Sequence, residues 1–295
     1  MPPVTEEKTA VLRKTSLVDF PPHLSAAVFF RGCNLRCPYC YNTDLVLNHD
    51  FEGLVSTKEI ISHLEKRRKV LTGLALSGGE ALLNPATEAV IRAAKSLGYK
   101  IKLDTNGSCP AQLERFLKDQ ALSPDYLAMD IKTSPKKLWM LMGVPENEEE
   151  QKEKFNSLLD KNIRKSIALI SEMPAQNREW RTVLVPPLAN REDIVQMSAM
   201  LPKDAVWYLT SFAPQHCLNP AYQRIAPYSP GQEEELVKEA QKAIPPPGPM
   251  MLGMVVGMPM PRDCSYFRSC SHFSKNRGTE RRQAAVGRKI CPSPV

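Results

Sequence analysis

Nowhere in this 295-residue chain does an apolar run approach the roughly eighteen positions that a membrane-spanning helix needs. The opening "MPPVTEEKTAVLRK" also lacks the apolar core of an export signal. Together these absences count against membrane spanning and secretion, and the expected location is the cytoplasm. With no oxidising compartment implied, the eight cysteines are expected as reduced thiols that serve as ligands or nucleophiles, not as disulfides. No internal repeat is visible. A composition of 42% hydrophobic, 24% charged and 7% aromatic residues suffices for a substantial core, in one large α/β domain or one domain with an appendage.

The charge that is present is unevenly placed. Of the formal +7, residues 262–295 hold eight Lys or Arg against two acids, so the preceding chain is nearly neutral. The run "KNRGTERRQAAVGRK" reads first as solvated surface. A patch for the phosphates of RNA or of a nucleotide-bearing partner is the less favoured alternative.

Short apolar segments alternate with helical ones along most of the chain. Strands are expected at "SAAVFFRG" (25–32), "LTGLALSGGE" (71–80), "YKIKLDTNG" (99–107), "DYLAMDIKT" (125–133), "EWRTVLVPP" (179–187) and "AVWYLTSFAP" (205–214). Helices are expected between and after them: "VSTKEIISHLEKRRKV", opened by a Ser56/Glu59 capping box; "NPATEAVIRAAKSLG", with Asn84 as cap and Pro85 in the first turn; "PAQLERFLKDQ"; an acidic and basic helix near 147–160; "NREDIVQMSAML"; and one near 231–243. The apolar stretch "MMLGMVVGM" is expected to close the regular part. Six strand–helix units in succession imply parallel strands with right-handed crossovers. Both a doubly wound sheet and a partial barrel satisfy that pattern. The placement of "GCNLRC", "SGGE", "DTNG", "DIK" and "SFAPQ" just after strands favours the α/β fold of a partial (β/α)6 TIM-like barrel with its site at the C-terminal rim. The expected organisation is an N-terminal segment (1–24), the barrel (25–215), a closing helix and strand (216–261), and a basic, Cys-containing extension (262–295).

The loop "FFRGCNLRCPYCYN" holds Cys33, Cys37 and Cys40 and no fourth thiol. Structural zinc normally takes four protein ligands. Three thiolates on one loop instead suit three irons of a [4Fe–4S] cube, leaving the fourth iron open to an external ligand. Zinc or inert thiols remain the alternative on spacing alone.

The C-x3-C-x2-C loop, the Gly-Gly-Glu after the second strand and the partial barrel resemble the radical S-adenosylmethionine (SAM) superfamily. "TSLVDFP", "CNLRCPYCYN", "LSGGE", "KLDTNG", "AMDIK" and "RTVLVPPLANREDI", in that order, resemble more narrowly the activases of glycyl-radical enzymes, above all those of anaerobic ribonucleoside-triphosphate reductase. The resemblance spans about residues 12–215.

The resemblance implies an oxygen-sensitive enzyme whose cluster reductively cleaves S-adenosylmethionine to a 5′-deoxyadenosyl radical that takes hydrogen from a partner's glycine. Cys33, Cys37 and Cys40 would ligate the cluster, and the backbone at Tyr39 would meet the adenine. Gly78, Gly79 and Glu80 would receive the methionine amino group. Asp104, Thr105 and Asp130, with the carbonyl of Ala128, would hold a monovalent cation. Lys132 and Arg181 would contact the cosubstrate's carboxylate or ribose, and Asp19 would stand near the target glycine as part of the catalytic set. The implied partners are a glycyl-radical enzyme and an electron donor of flavodoxin or ferredoxin type. Each residue also has a plainer reading: a Gly-Gly turn, an Asn106-Gly107 bend, a surface ion pair, a turn aspartate before Pro21-Pro22. The chain departs from the activase pattern at Tyr41, where His is usual, at Ala81, where Pro is common, and at "DFPP", where Pro-Gly is common.

Beyond residue 215 the resemblance ends. Cys217, Cys264, Cys270 and Cys291, with His216 and His272 nearby, form a candidate second site for an auxiliary [4Fe–4S] cluster or zinc, against a reading with no metal. Cys109 reads as an ordinary thiol. The alternative activity is a radical SAM enzyme that modifies a small molecule, peptide or RNA with an auxiliary cluster. The outlying one is a metal-stabilised binding module without catalysis.

Overall fold

The strands of the chain are short and two-faced, and that alternation sets the architecture. In "KIKLDT" the side chains of Ile101 and Leu103 are fully buried under helices, while Lys102 and Asp104 face the other way. The same holds in "YLAMD", where Leu127 and Met129 point out to the helical layer, and in "REWRTVL", where Trp180 and Leu184 do. The computed structural model describes residues 6–245 apart from 48 and 146. Six parallel strands carry this pattern: β2 (Ser25–Phe30), β4 (Gly73–Gly78), β5 (Lys100–Thr105), β6 (Tyr126–Asp130), β7 (Arg178–Leu184) and β8 (Trp207–Ser211). They form the expected partial TIM-like barrel, with apolar residues outward and a bore lined by small and charged ones.

Two strands were not foreseen. β1 (Lys8–Ser16) and β3 (Leu54–Ser56) extend the sheet to eight strands in the order β3-β1-β2-β4-β5-β6-β7-β8. β1 pairs antiparallel with β2, Ala10 opposite Phe30, and β3 pairs antiparallel with β1. The first residues of the barrel are therefore shielded on the β2 side, whereas β8 ends the sheet without a further strand partner among the described residues.

The helices follow their sequence signals. α1 (Thr43–Val46) is a single turn after the cysteine loop. α2 (Thr57–Arg67) starts at the expected capping box, with Glu59 N–H donating to Ser56 Oγ at 3.2 Å and Ser56 N–H to the Glu59 carboxylate at 2.8 Å. α3 (Ala86–Ser96), α4 (Pro110–Lys118), α6 (Arg191–Ser198) and α7 (Pro230–Ala243) lie close to their expected ranges. α5 (Glu149–Ser171) is longer than expected, because Leu159, Ile163, Ile167 and Ile170 continue its buried stripe well past residue 160. The stretch "MMLGMVVGM" and the basic extension lie outside the described residues.

Candidate functional site

The cysteine loop leaves the C-terminal end of β2 at Phe30 and is tied down by its own backbone. Gly32 takes a positive φ of +88° and its N–H donates to Leu45 O at 2.8 Å, so α1 closes the loop from behind. Arg36 N–H donates to Leu141 O at 2.6 Å, and the Arg36 guanidinium donates to the carbonyls of Cys33 and Leu35, each at 2.8 Å. Cys37 is buried, while Cys33 and Cys40 are half-buried.

Burial pushes all three thiols up, Cys37 to about 12, with the Lys132 ammonium opposing the shift in each. At neutral pH they hold their protons until a metal displaces them. The Cys33 sulfur accepts from Leu35 N–H at 3.4 Å and Asn106 Nδ2–H at 3.7 Å, and the Cys40 sulfur from Asn42 N–H, contacts that favour the exchange. Among the described residues no three His, Cys, Asp or Glu side chains close to the spacing of a single ion. That counts against a mononuclear zinc at this loop, and three thiols from one fixed loop fit a cluster whose irons each take one.

The glycine pair at the end of β4 is dictated by space. A Cβ at Gly78 would strike the backbone of Phe30, and one at Gly79 the carbonyl of Gly32. Gly78 also holds φ at +120°. This close passage lets Gly79 N–H donate to Phe30 O at 2.9 Å and Glu80 N–H to Gly32 O at 2.8 Å, which locks the β4 turn onto the cysteine loop.

Glu80 is 1% exposed, and its carboxylate accepts from Thr105 Oγ1–H (2.9 Å), Asn106 N–H (2.7 Å) and Leu82 N–H (3.3 Å). Burial raises it to about 7 despite those donors. Glu80 is thus committed to the turn after β5. Asn106, turned by this contact, reaches Cys33 and also Asn34 Oδ1 at 3.3 Å, and Ser108 Oγ donates to Asn34 Oδ1 at 3.1 Å. Glu80, Thr105, Asn106, Asn34 and Ser108 make one polar brace behind the loop. Asn34, Asn106 and Ser108 were missed as site residues, since "DTNG" carries the sequence signature of an ordinary turn.

Below the loop, the bore holds a compact set of charges. Arg181 on β7 donates from Nε to Asp130 Oδ1 at 3.0 Å and from Nη1 to Asp104 Oδ2 at 3.3 Å. Lys132 Nζ donates to Asp130 Oδ2 at 2.9 Å. Lys102 Nζ donates to Glu179 at 3.1 Å, and Tyr126 Oη–H to the same carboxylate at 2.9 Å. Burial would raise Asp130, yet Arg181 and Lys132 hold it down at about 2. Burial would lower Lys132, and Asp130 foremost holds it well above the ordinary lysine range.

The residues expected to hold a monovalent cation are engaged with one another and with neighbours inside the protein. Both Asp130 oxygens are engaged by side-chain cations, Thr105 Oγ1 already donates to Glu80 and accepts from Gly107 N–H at 3.1 Å, and Ala128 lies mid-strand with paired strands on both sides.

Tyr39 is buried beside the loop, where burial pushes its hydroxyl far up. Asp19 does not join this group. It lies in the turn before β2, a strand's length of about 20 Å from the cysteine loop. There it pairs with Arg13 at 3.0 Å.

Cys217 is buried just after β8, its thiol donating to Pro214 O at 3.4 Å, while His216 beside it is exposed at a φ of 60°. The segment rests on the cysteine loop: Ala213 N–H donates to Tyr41 Oη at 3.0 Å, Leu218 N–H to Cys40 O at 3.0 Å and Asn219 N–H to Pro38 O at 2.9 Å. Cys264, Cys270, Cys291 and His272 lie outside the described residues.

Residues 27–184, just over half of the chain, match the family described as the Radical SAM superfamily. A Methanocaldococcus jannaschii protein provisionally named as a glycyl-radical enzyme activating enzyme is 28% identical over 230 residues, covering 78% of this chain and 90% of that protein. The pyruvate formate-lyase-activating enzyme of Clostridium pasteurianum is 31% identical over 126 residues, 41% of this chain and 50% of that enzyme. The 7-carboxy-7-deazaguanine synthase of Aquifex aeolicus is 27% identical over 190 residues, 64% of this chain and 78% of that enzyme.

Proposed function

This chain belongs to the radical SAM superfamily, and from that premise we propose that it activates a glycyl-radical enzyme by taking a hydrogen atom from one of its glycines. Membership implies a [4Fe–4S] cluster and S-adenosylmethionine. Cys33, Cys37 and Cys40 would hold three irons and leave the fourth for the amino and carboxylate groups of the cosubstrate. When bound, the cluster supplies the electron that cleaves the sulfonium to methionine and a 5′-deoxyadenosyl radical.

The chain's own residues do the positioning. Gly78 and Gly79 leave room for backbone to approach the cosubstrate at the rim. Glu80 fixes the turn that presents Asn106 to Cys33. Lys132 faces the loop as a positive charge and supports its thiolates, while Arg181 holds Asp104 and Asp130 still in the bore. Tyr39 contributes a dry wall. Asp19, paired with Arg13 at the far end of β2, lies away from the cosubstrate.

The observation that carries the activase reading is a relative of that kind aligned over nine-tenths of its own length. Within it, the partner we favour is an anaerobic ribonucleotide reductase, and the cluster of this chain would draw its electron from a flavodoxin or ferredoxin-type donor.

A second reading, modification of a small molecule with an auxiliary cluster in the C-terminal extension, draws on the similarity to a deazaguanine synthase. Iron and sulfide per chain after anaerobic reconstitution separate the two. About four of each supports the activase and about eight the auxiliary cluster. The decisive assay adds S-adenosylmethionine, reductant and a candidate reductase. Formation of 5′-deoxyadenosine together with a glycyl-radical EPR doublet on the reductase is expected, whereas 5′-deoxyadenosine without a radical on any glycyl-radical partner would overturn the activase assignment.

A further inference from the structure

Three carboxylates and three side-chain cations face one another in the bore. Asp104, Asp130 and Glu179 meet Lys102, Lys132 and Arg181, with ion pairs of 2.9–3.9 Å. The set is neutral as it stands. Its centre is Arg181, whose Nε and Nη1 reach the two aspartates that the resemblance assigned to a monovalent metal ion.

A metal ion placed between those aspartates would need several oxygens. Asp130 has none uncommitted, and Thr105 Oγ1 donates to Glu80 while accepting from Gly107 N–H. Of the aspartate oxygens, only Asp104 Oδ1 is left: it is buried without a hydrogen-bond partner and stands 3.9 Å from Lys102 Nζ. One free oxygen beside an ammonium does not make a metal site. An ion would also face the guanidinium at close range, a repulsion that the half-buried site only partly screens.

We propose that the Arg181 guanidinium is the resident cation of this site: a positioning residue that holds Asp104 and Asp130 in place of a monovalent metal, so that the chain binds S-adenosylmethionine without sodium or potassium. A guanidinium suits the task because its planar fork spans two carboxylates with fixed geometry, whereas a spherical ion must be caged. The inference rests on family membership and not on the identity of the partner enzyme, so it survives if the activase reading fails.

The test is equilibrium dialysis of labelled S-adenosylmethionine against the anaerobically reconstituted holoprotein in potassium, sodium and choline chloride at one ionic strength. Wild-type Kd is expected to agree within about twofold across the three salts. Weakening by about fivefold or more in choline chloride would overturn the proposal, since choline is too large to occupy such a site.

Two variants make the role specific. Arg181→Gln should bind roughly tenfold more weakly in choline chloride and regain at least about threefold in potassium or guanidinium chloride. Arg181→Lys, which keeps the charge and loses the fork, should fall between and respond less to added cation. An Arg181→Gln protein that keeps its cluster absorbance, binds weakly and ignores every added cation would reduce Arg181 to a packing residue and sink the idea.

Discussion

Glu80 shows how a residue that looks like a ligand contact becomes a structural pivot. Its place after a glycine pair was legible. What no single sequence displays is that Thr105, Asn106 and Leu82 would use its oxygens from three directions. The outcome depends on the β4 and β5 turns meeting, a tertiary fact. The two glycines were legible as a turn but not as the point where β4 runs against Phe30 and Gly32.

A pH dependence follows from Glu80. Its folded value near 7 lies above the ordinary 4.5, so the folded chain binds more protons than the unfolded one between those values. Its contribution to stability is therefore greatest below pH 4.5 and declines as pH rises through 7. Thermal unfolding of the apoprotein at pH 5 and pH 7.5, compared with Glu80→Gln, measures this. The advantage of wild type over the variant should shrink by about 2 kcal/mol as pH rises, roughly 4–8 °C in Tm for a chain of this size. A margin that is constant or grows with pH would mean that the donors outweigh burial.

At the scale of elements, the strand–helix alternation was readable because each strand carries its outward apolar residues at every second position and each crossover has a recognisable cap. β1 and β3 escaped because they pair antiparallel, outside the strand–helix units. "KTAVLRKTS" has only two fully buried residues, Ala10 and Ser16, and a three-residue strand has too few positions to show a period.

Equally hidden was the return of the segment after β8 onto the cysteine loop, a contact made almost wholly by backbone. Tyr41 is its one side-chain anchor, and it stands where activases usually carry His. Burial raises its hydroxyl to about 12, with the Ala213 N–H pulling the other way. Tyr41→Phe leaves packing intact and removes the acceptor, a loss of about 0.5–1.5 kcal/mol. Hydrogen exchange should then quicken by roughly three- to tenfold across residues 213–219, the range that free-energy loss implies, while β2 exchanges as before. Unchanged exchange in that segment would show that the two backbone bonds to Pro38 and Cys40 hold it alone.

For the molecule as a whole, the order of rim motifs in the sequence foretold which end of the barrel would carry the chemistry, and it said nothing of how the other end is shut. Phe20 does that. It is 4% exposed, packs with Ala27 and Ala75 on the bore face, and meets the rings of His23 and Tyr126 at 4.7 and 6.0 Å. In a pattern where Pro-Gly is common, "DFPP" supplies a plug, and the strand beside it accommodates the plug with a glycine. A Cβ at Gly73 would come within 2.8 Å of His23 Cβ and 2.9 Å of Phe20 Cδ1.

The pair should therefore behave as one unit. Phe20→Ala is expected to cost about 3–5 kcal/mol by cavity formation, and Gly73→Ala about 1–3 kcal/mol by overpacking. In the double variant the share of the second cost that comes from Phe20 Cδ1 should disappear, because the new methyl group enters the space that the ring has left, while its contact with His23 Cβ remains. A coupling of at least about 1 kcal/mol, read from denaturant unfolding of the four proteins, is the signature of direct contact. Strict additivity would place Phe20 elsewhere and leave the lower mouth of the bore open, a second way in for a partner's glycine loop besides the rim.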